Sequence, residues 1–183
     1  MLPLIPRTVL AVLAFTIQGP PALHAASPSE GPGPSEGPGD PAPSKSEDGK
    51  HFDLDGDPTF KIEPDGTVDW HTYSGFRRYH SECHVCHGPD GEGSSLAPRL
   101  VDSVKRLTYD AFRDIVINGK QSVEQGQTKV MPAFGTNKNV VCYLDDIYIY
   151  LRARAQGNLG RGRPSKHEAK LPKATAEEEL CLR

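Results

Sequence analysis

Residues 83–88 read Cys83-His84-Val85-Cys86-His87-Gly88, and this short run decides most of the reading. A C-x-x-C-H sequence is the attachment site of a c-type haem. The two thiols add across the porphyrin vinyl groups, so Cys83 and Cys86 become thioethers. His87, next in the chain, is then held beneath the iron as its proximal ligand. A two-residue gap sets both sulfurs on one turn, close to the vinyl separation. Two other chemistries use C-x-x-C. A thioredoxin-like redox motif belongs after a strand in a βαβ pattern, and no such pattern surrounds residue 83. A structural zinc site needs four ligands, and the sequence has no second C-x-x-C.

Working outward, residues 1–26 have the form of a secretory signal peptide. Arg7 is the only charge, an apolar run from Thr8 to Ile17 follows, and Ala25-Ala26 offers small residues for cleavage. Ten apolar residues fall short of the roughly 20 that span a bilayer, so export is expected rather than a retained anchor or a membrane span. Residues 27–49 are almost wholly Ser, Pro, Gly, Glu and Asp, with five acids against Lys45 alone. With almost nothing apolar to bury, this stretch is expected to be a disordered linker. Residues 50–183 are then one domain of ordinary size.

Charge is segregated within that domain. Residues 53–69 hold six acids and Lys61, whereas 152–173 hold seven Lys or Arg and Glu168. Nucleic-acid binding is not expected, because the chain is exported and no stacking motif accompanies the basic run. The run reads either as a solvated tail or as a docking surface for an acidic redox partner. The DLDGD run at 53–57 has some calcium-loop character, but Pro58 interrupts it and no Glu stands at the twelfth position.

Three stretches carry helical periodicity. Residues 72–83 run into the first cysteine, with Gly75 and Tyr79 on one face. Residues 108–118 have Thr108 as N-cap and Gly119 as stop, with Tyr109, Phe112, Ile115 and Val116 as the buried stripe. Residues 139–155 begin at a candidate cap, Asn139, and repeat Leu144, Ile147, Tyr148 and Leu151. Nothing else reads as a sustained strand.

Only two methionines occur, and Met1 leaves with the signal. Met131, in the loop MPAFG, is then the one thioether able to complete the iron coordination opposite His87. His51, His71, His80 and His167 are the competitors for a bis-His iron. Four cysteines less two thioethers leave Cys142 and Cys181, an even pair in an oxidising compartment. A disulfide stapling the C-terminal tail to the last helix is the economical reading, with two free thiols as the alternative.

Gly75 and Tyr79, the CHVCHG run, Ala97-Pro98, Met131-Pro132 and Tyr150-Leu151 together resemble class I cytochrome c over about residues 70–155. The resemblance implies an all-α fold of three to five helices around one covalently bound haem c, with the first and last helices crossing near Gly75. It also implies that the carbonyl of Pro98, eleven residues after His87, accepts the Nδ1–H of that histidine. The extra cysteine pair and GFRRYHSECHVCHGPDGEGSS are similar to the four-cysteine periplasmic cytochromes of methanol metabolism, the cytochrome c-553i type. That likeness implies a monomeric periplasmic electron carrier, not an enzyme. Its donor would be a periplasmic quinoprotein dehydrogenase of the methanol or alcohol type, its acceptor another cytochrome or a terminal oxidase. The competing classes, a haem-based ligand sensor and a catalytic haem subunit, require a displaceable Met131.

Overall fold

A computed structural model describes residues 37–124 and 127–183. The expected signal peptide and the first part of the expected linker lie outside them. Helix dominates, as the class I reading requires. The helices are α1 (Trp70–Glu82), α2 (His84–His87), α3 (Leu100–Ser103), α4 (Tyr109–Asn118), α5 (Lys138–Val141), α6 (Leu144–Ala155) and α7 (Pro172–Leu182). Two small sheets accompany them: β1 (Lys45–Glu47), β2 (Lys50–Phe52) and β3 (Pro58–Thr59) in antiparallel order, and a hairpin of β4 (Lys120–Glu124) with β5 (Gln127–Met131).

The first helix starts where Asp69 caps it. Its carboxylate accepts from the Thr72 backbone at 2.9 Å and from the Thr72 hydroxyl at 2.5 Å, meeting N–H groups that a helix start leaves open. The last long helix crosses α1 at Gly75. A Cβ there would overlap the Asp146 carbonyl and stand 2.8 Å from the Tyr150 Cβ, so only glycine permits the approach. Tyr79, Ile147, Tyr150 and Leu151 meet across the crossing, with Val104, Phe112, Val116 and Val140 closing the same core. The α4 expectation holds at both ends. Thr108 accepts from the Ala111 N–H at 3.2 Å, and Gly119 leaves the helix at φ 76°.

Three expectations change. The helix expected over 139–155 is two helices, and its cap is Asn137, which accepts from the Asn139 N–H at 2.9 Å. Tyr143 leaves the helical region at φ −130° and buries its ring beneath the Arg78 guanidinium, 3.5 Å from the ring centroid. The disordered linker expected to reach 49 ends sooner. Asp48 and Gly49, both at positive φ, turn β1 back onto β2. Thr59 donates to the Pro41 carbonyl at 2.6 Å and Arg152 to the Gly39 carbonyl at 3.0 Å. Strand pairing, and side chains that donate to its backbone carbonyls, thus hold a stretch with few side chains of its own to pack.

The third change concerns the tail. It is folded onto the domain, and although its side chains are mostly exposed, its cations have partners. Val68 pairs with His167 in a parallel bridge, and α7 follows, with Cys181 bonded to Cys142 in the expected disulfide. Arg152 meets Asp53 at 2.7 Å, Arg154 meets Glu92 at 2.8 Å, Arg161 meets Asp90 at 3.4 Å and Lys166 meets Asp65 at 3.1 Å. Two of these pairs, Arg152–Asp53 and Lys166–Asp65, join the basic stretch to the acidic one, and the other two reach the loop after His87. Asp53 also shows why DLDGD is no calcium loop. One carboxylate oxygen accepts the Asp55 and Asp57 N–H groups, and the other faces Arg152.

Candidate metal centre

Cys83 closes α1, its N–H bonded to the Tyr79 carbonyl at 2.9 Å. The chain then makes one further turn, with the Cys86 and His87 N–H groups both directed at the Cys83 carbonyl, at 3.2 and 3.0 Å. That turn carries the two cysteines and delivers His87 into the interior, while Val85 between them is 74% exposed. Neither cysteine is in a disulfide. Burial against the apolar core pushes the Cys83 thiol up to about 12. A redox-active C-x-x-C needs the opposite, a depressed thiol. Among the described residues no group of three or more His, Cys, Asp or Glu side chains is placed to hold a metal ion, which leaves the zinc alternative without ligands.

His87 is buried, and its Nδ1 lies 3.0 Å from the Pro98 carbonyl. A carbonyl only accepts, so Nδ1 carries the proton and Nε2 is left with its lone pair. This is the orientation that a metal-ligating histidine takes from a neighbouring backbone oxygen. The loop between the two residues is firmly tied. The Tyr79 hydroxyl donates to the Gly88 carbonyl at 2.5 Å and accepts from the Gly91 N–H at 3.0 Å. The Gly93 N–H donates to the His87 carbonyl at 2.7 Å. Gly88 sits at φ 71°, where a Cβ would overlap the Gly93 carbonyl.

Met131 ends β5 and packs, half-buried, against the same core cluster as Cys83, Leu100 and Phe134. The strap after it hangs on the end of α4: the Phe134 N–H donates to the Val116 carbonyl and the Gly135 N–H to that of Ile117, both at 3.0 Å. The four other candidate histidines are engaged elsewhere. His71 pairs with Asp146 at 2.7 Å in the helix crossing, and His167 stacks on Tyr73 at 3.7 Å. His51 lies in β2, and His80 donates to the Phe76 carbonyl. Two thiols on one turn, an imidazole with a free Nε2, and a thioether on the same apolar cluster together make a donor set that fits a covalently held haem.

The profile of the family described as "Cytochrome C oxidase, cbb3-type, subunit III" matches residues 72–151, the span from α1 through Leu151. Cytochrome c-555 of Methylococcus capsulatus is 38% identical over 100 residues, which are 54% of this chain and 75% of that protein. The crystal structure of c-type cytochrome XoxG from Methylobacterium extorquens AM1 is similar at a TM-score of 0.72 and 57% identity, covering 77% of this chain and 86% of that one. The chain belongs to the c-type cytochromes. As a c-type cytochrome it carries haem c, bound covalently. Cytochrome c-553I of Paracoccus denitrificans is 53% identical over 143 residues, or 78% of this chain, and the chain spans 63% of the length of that relative. No helix among the described residues is long and apolar enough to cross a membrane.

Sequence reasoning missed two buried polar centres, one of them three residues past His87. Asp90, three residues past His87, is buried at positive φ and gathers Tyr150, Arg161 and the Gly162 N–H. Arg152 is buried with Asp53. The left-handed Asp-Gly pair at 90–91 was a sequence signal for the first. The second had none, because its partners are 99 positions apart.

Proposed function

We propose that this cytochrome is a periplasmic one-electron carrier. It would accept electrons from a quinoprotein dehydrogenase of the methanol or alcohol type and pass them to another cytochrome or a terminal oxidase. Cys83 and Cys86 would hold the haem as thioethers, with His87 and Met131 as axial ligands. The bound haem supplies a reversible one-electron iron couple. The observation that carries this reading is the bond from His87 Nδ1 to the Pro98 carbonyl, which fixes the ring with Nε2 free for the metal. The Met131 strap, tied to α4 through Phe134 and Gly135, supports a sixth ligand that stays in place, and a fixed ligand set keeps reorganisation small. A His/Met pair also holds the potential above that of a bis-His site. Exposed Val85 and Cys86 mark the edge through which electrons would pass. Periplasmic placement rests on the signal-like residues 1–26 and on the need for haem attachment outside the cytoplasm.

The test is direct. Met131→Ala should abolish the weak near-infrared sulfur-to-iron band of the ferric protein and lower its potential, while wild type binds CO poorly at neutral pH. A spectrum unchanged by the substitution would move the sixth bond to a histidine. Tight CO binding by wild type would favour the ligand sensor or the catalytic subunit. Rapid mixing with purified quinoprotein and amine dehydrogenases would then identify the donor.

A further inference from the structure

The loop from His87 to Pro98 is anchored by residues far along the chain. Asp90 stands in the left-handed region, at φ 59° and ψ 19°, with only 7% of its side chain exposed. Aspartate tolerates that conformation mostly where its side chain bonds nearby backbone. Here the bonds are distant. The carboxylate accepts from the Tyr150 hydroxyl at 3.2 Å, the Gly162 N–H at 3.1 Å and Arg161 Nε at 3.4 Å. Burial alone would raise this carboxyl, but those donors and Arg154 hold it below the ordinary carboxylate range.

Arg154, in the last turn of α6, joins three segments at once. Its Nε donates to the Asp90 carbonyl at 3.4 Å, its Nη2 to Glu92 at 2.8 Å and its Nη1 to the Leu159 carbonyl at 2.6 Å. Only 7% of the side chain is exposed, so salt screens these bonds little. Glu92 in turn meets Arg99, the residue after Pro98, at 2.6 Å. One guanidinium thus ties both ends of the His87–Pro98 bond, the histidine end through Asp90 and the proline end through Glu92 and Arg99. Arg154, Leu159, Arg161 and Gly162 all lie past residue 151, where the match to the family profile ends.

We propose that Arg154 is a positioning residue for the proximal ligand, clamping the C-terminal stretch 157–162 onto the loop after His87 and so fixing the His87–Pro98 hydrogen bond. The inference rests on His87 being the iron ligand, as set out under Proposed function. A hydrogen bond from Nδ1 makes the imidazole a more basic donor to the metal, and a more basic ligand favours the ferric state. Slackening the clamp weakens that bond and the preference with it. The C-terminal extension thereby holds the potential of the iron couple down without entering the donor set.

The test compares the holoprotein with Arg154→Lys, which keeps the positive charge but cannot fill all three positions of the guanidinium fork. We expect the midpoint potential to rise in the variant. We also expect the His87 Nδ1–H, followed by its paramagnetically shifted NMR signal in the ferric protein, to exchange faster with solvent. Asp53→Asn, which loosens a buried pair that does not touch the loop, should move neither. An unchanged potential and exchange rate in Arg154→Lys, or an equal shift in Asp53→Asn, would overturn the proposal. Amide exchange in the wild type needs no variant. The Gly162 N–H, on Asp90, and the Gly93 N–H, on the His87 carbonyl, should open in one step. A freely exchanging Gly162 beside a protected Gly93 would equally overturn the clamp. Absence of a shifted His87 signal in the ferric wild type would instead remove His87 as the iron ligand, and the proposal with it.

Discussion

Arg152 and Asp53 are both wholly buried, with Nη2 2.7 Å from Oδ2. Two charges taken out of water incur a desolvation cost that their attraction only partly repays, so such a pair is poor evidence for added stability. Its consequence is asymmetry. Removing one partner leaves the other charge buried and unpaired, which typically costs 3–5 kcal/mol. Arg152 also donates to the Pro58 and Gly39 carbonyls, so the pair fastens the N-terminal strands onto the last long helix. Asp53→Asn should accordingly lower the unfolding free energy by about 3 kcal/mol, read from urea denaturation followed by far-UV circular dichroism. A loss under about 1 kcal/mol would mean that water reaches the guanidinium and that the pair behaves like an exposed one. At this scale the motif residues were legible in the sequence, because haem chemistry fixes their spacing. The Arg152–Asp53 pair was not, because each residue takes its role from a partner on a distant element.

At the scale of elements, legibility follows the source of stability. The α4 helix could be read because its cap, stripe and stop are local; α1 was read from the face that Gly75 and Tyr79 share, and its Asp69 cap was not. The three-stranded sheet could not, because its strands are two or three residues long and carry no alternation. Asp48-Gly49 was a hairpin signal, hidden by the low-complexity composition around it. The α7 helix is a different case. Its side chains are mostly exposed, with only Ala174 buried, and Leu180 is 73% exposed. Such a helix has little packing of its own, and a short isolated helix is marginal in water. The Cys142–Cys181 bond spans 39 positions; closing a loop of that size stabilises by about 4 kcal/mol on the chain-entropy account. Replacing both cysteines by serine should lower stability toward that amount and raise amide exchange in 172–182 far more than in α1 or α6. Uniform exchange across the three helices would show that α7 folds with the core rather than through its staple.

For the whole molecule, the lesson concerns charge. Read along the chain, residues 53–69 and 152–173 form a large dipole, and a basic docking surface follows naturally from it. Folding cancels much of that dipole, because Val68 and His167 pair directly and bring the two stretches side by side. Lys166 is held by Asp65, Arg161 by Asp90, Lys170 by Glu178, and Lys173 lies near Asp48 and Glu177. Around the thioether turn two large apolar side chains stand out, Val85 at 74% and Leu96 at 65% exposed, among exposed His84, Ser94, Ser95 and Arg99. An encounter through that edge is steered weakly. The second-order rate of reduction by a quinoprotein alcohol dehydrogenase should therefore change by less than about tenfold with salt, the low end of electrostatic steering, although the screening length falls from about 10 Å at 0.1 M to about 3 Å at 1 M. Replacing Arg161, Arg163 and Lys166 together by glutamine should leave that rate nearly unchanged and lower stability instead, by up to about 1 kcal/mol for each exposed pair lost. A rate that falls steeply with salt, and loses that dependence in the triple variant, would restore the basic stretch as the docking surface. It would also mean that these side chains leave their internal partners when the donor arrives.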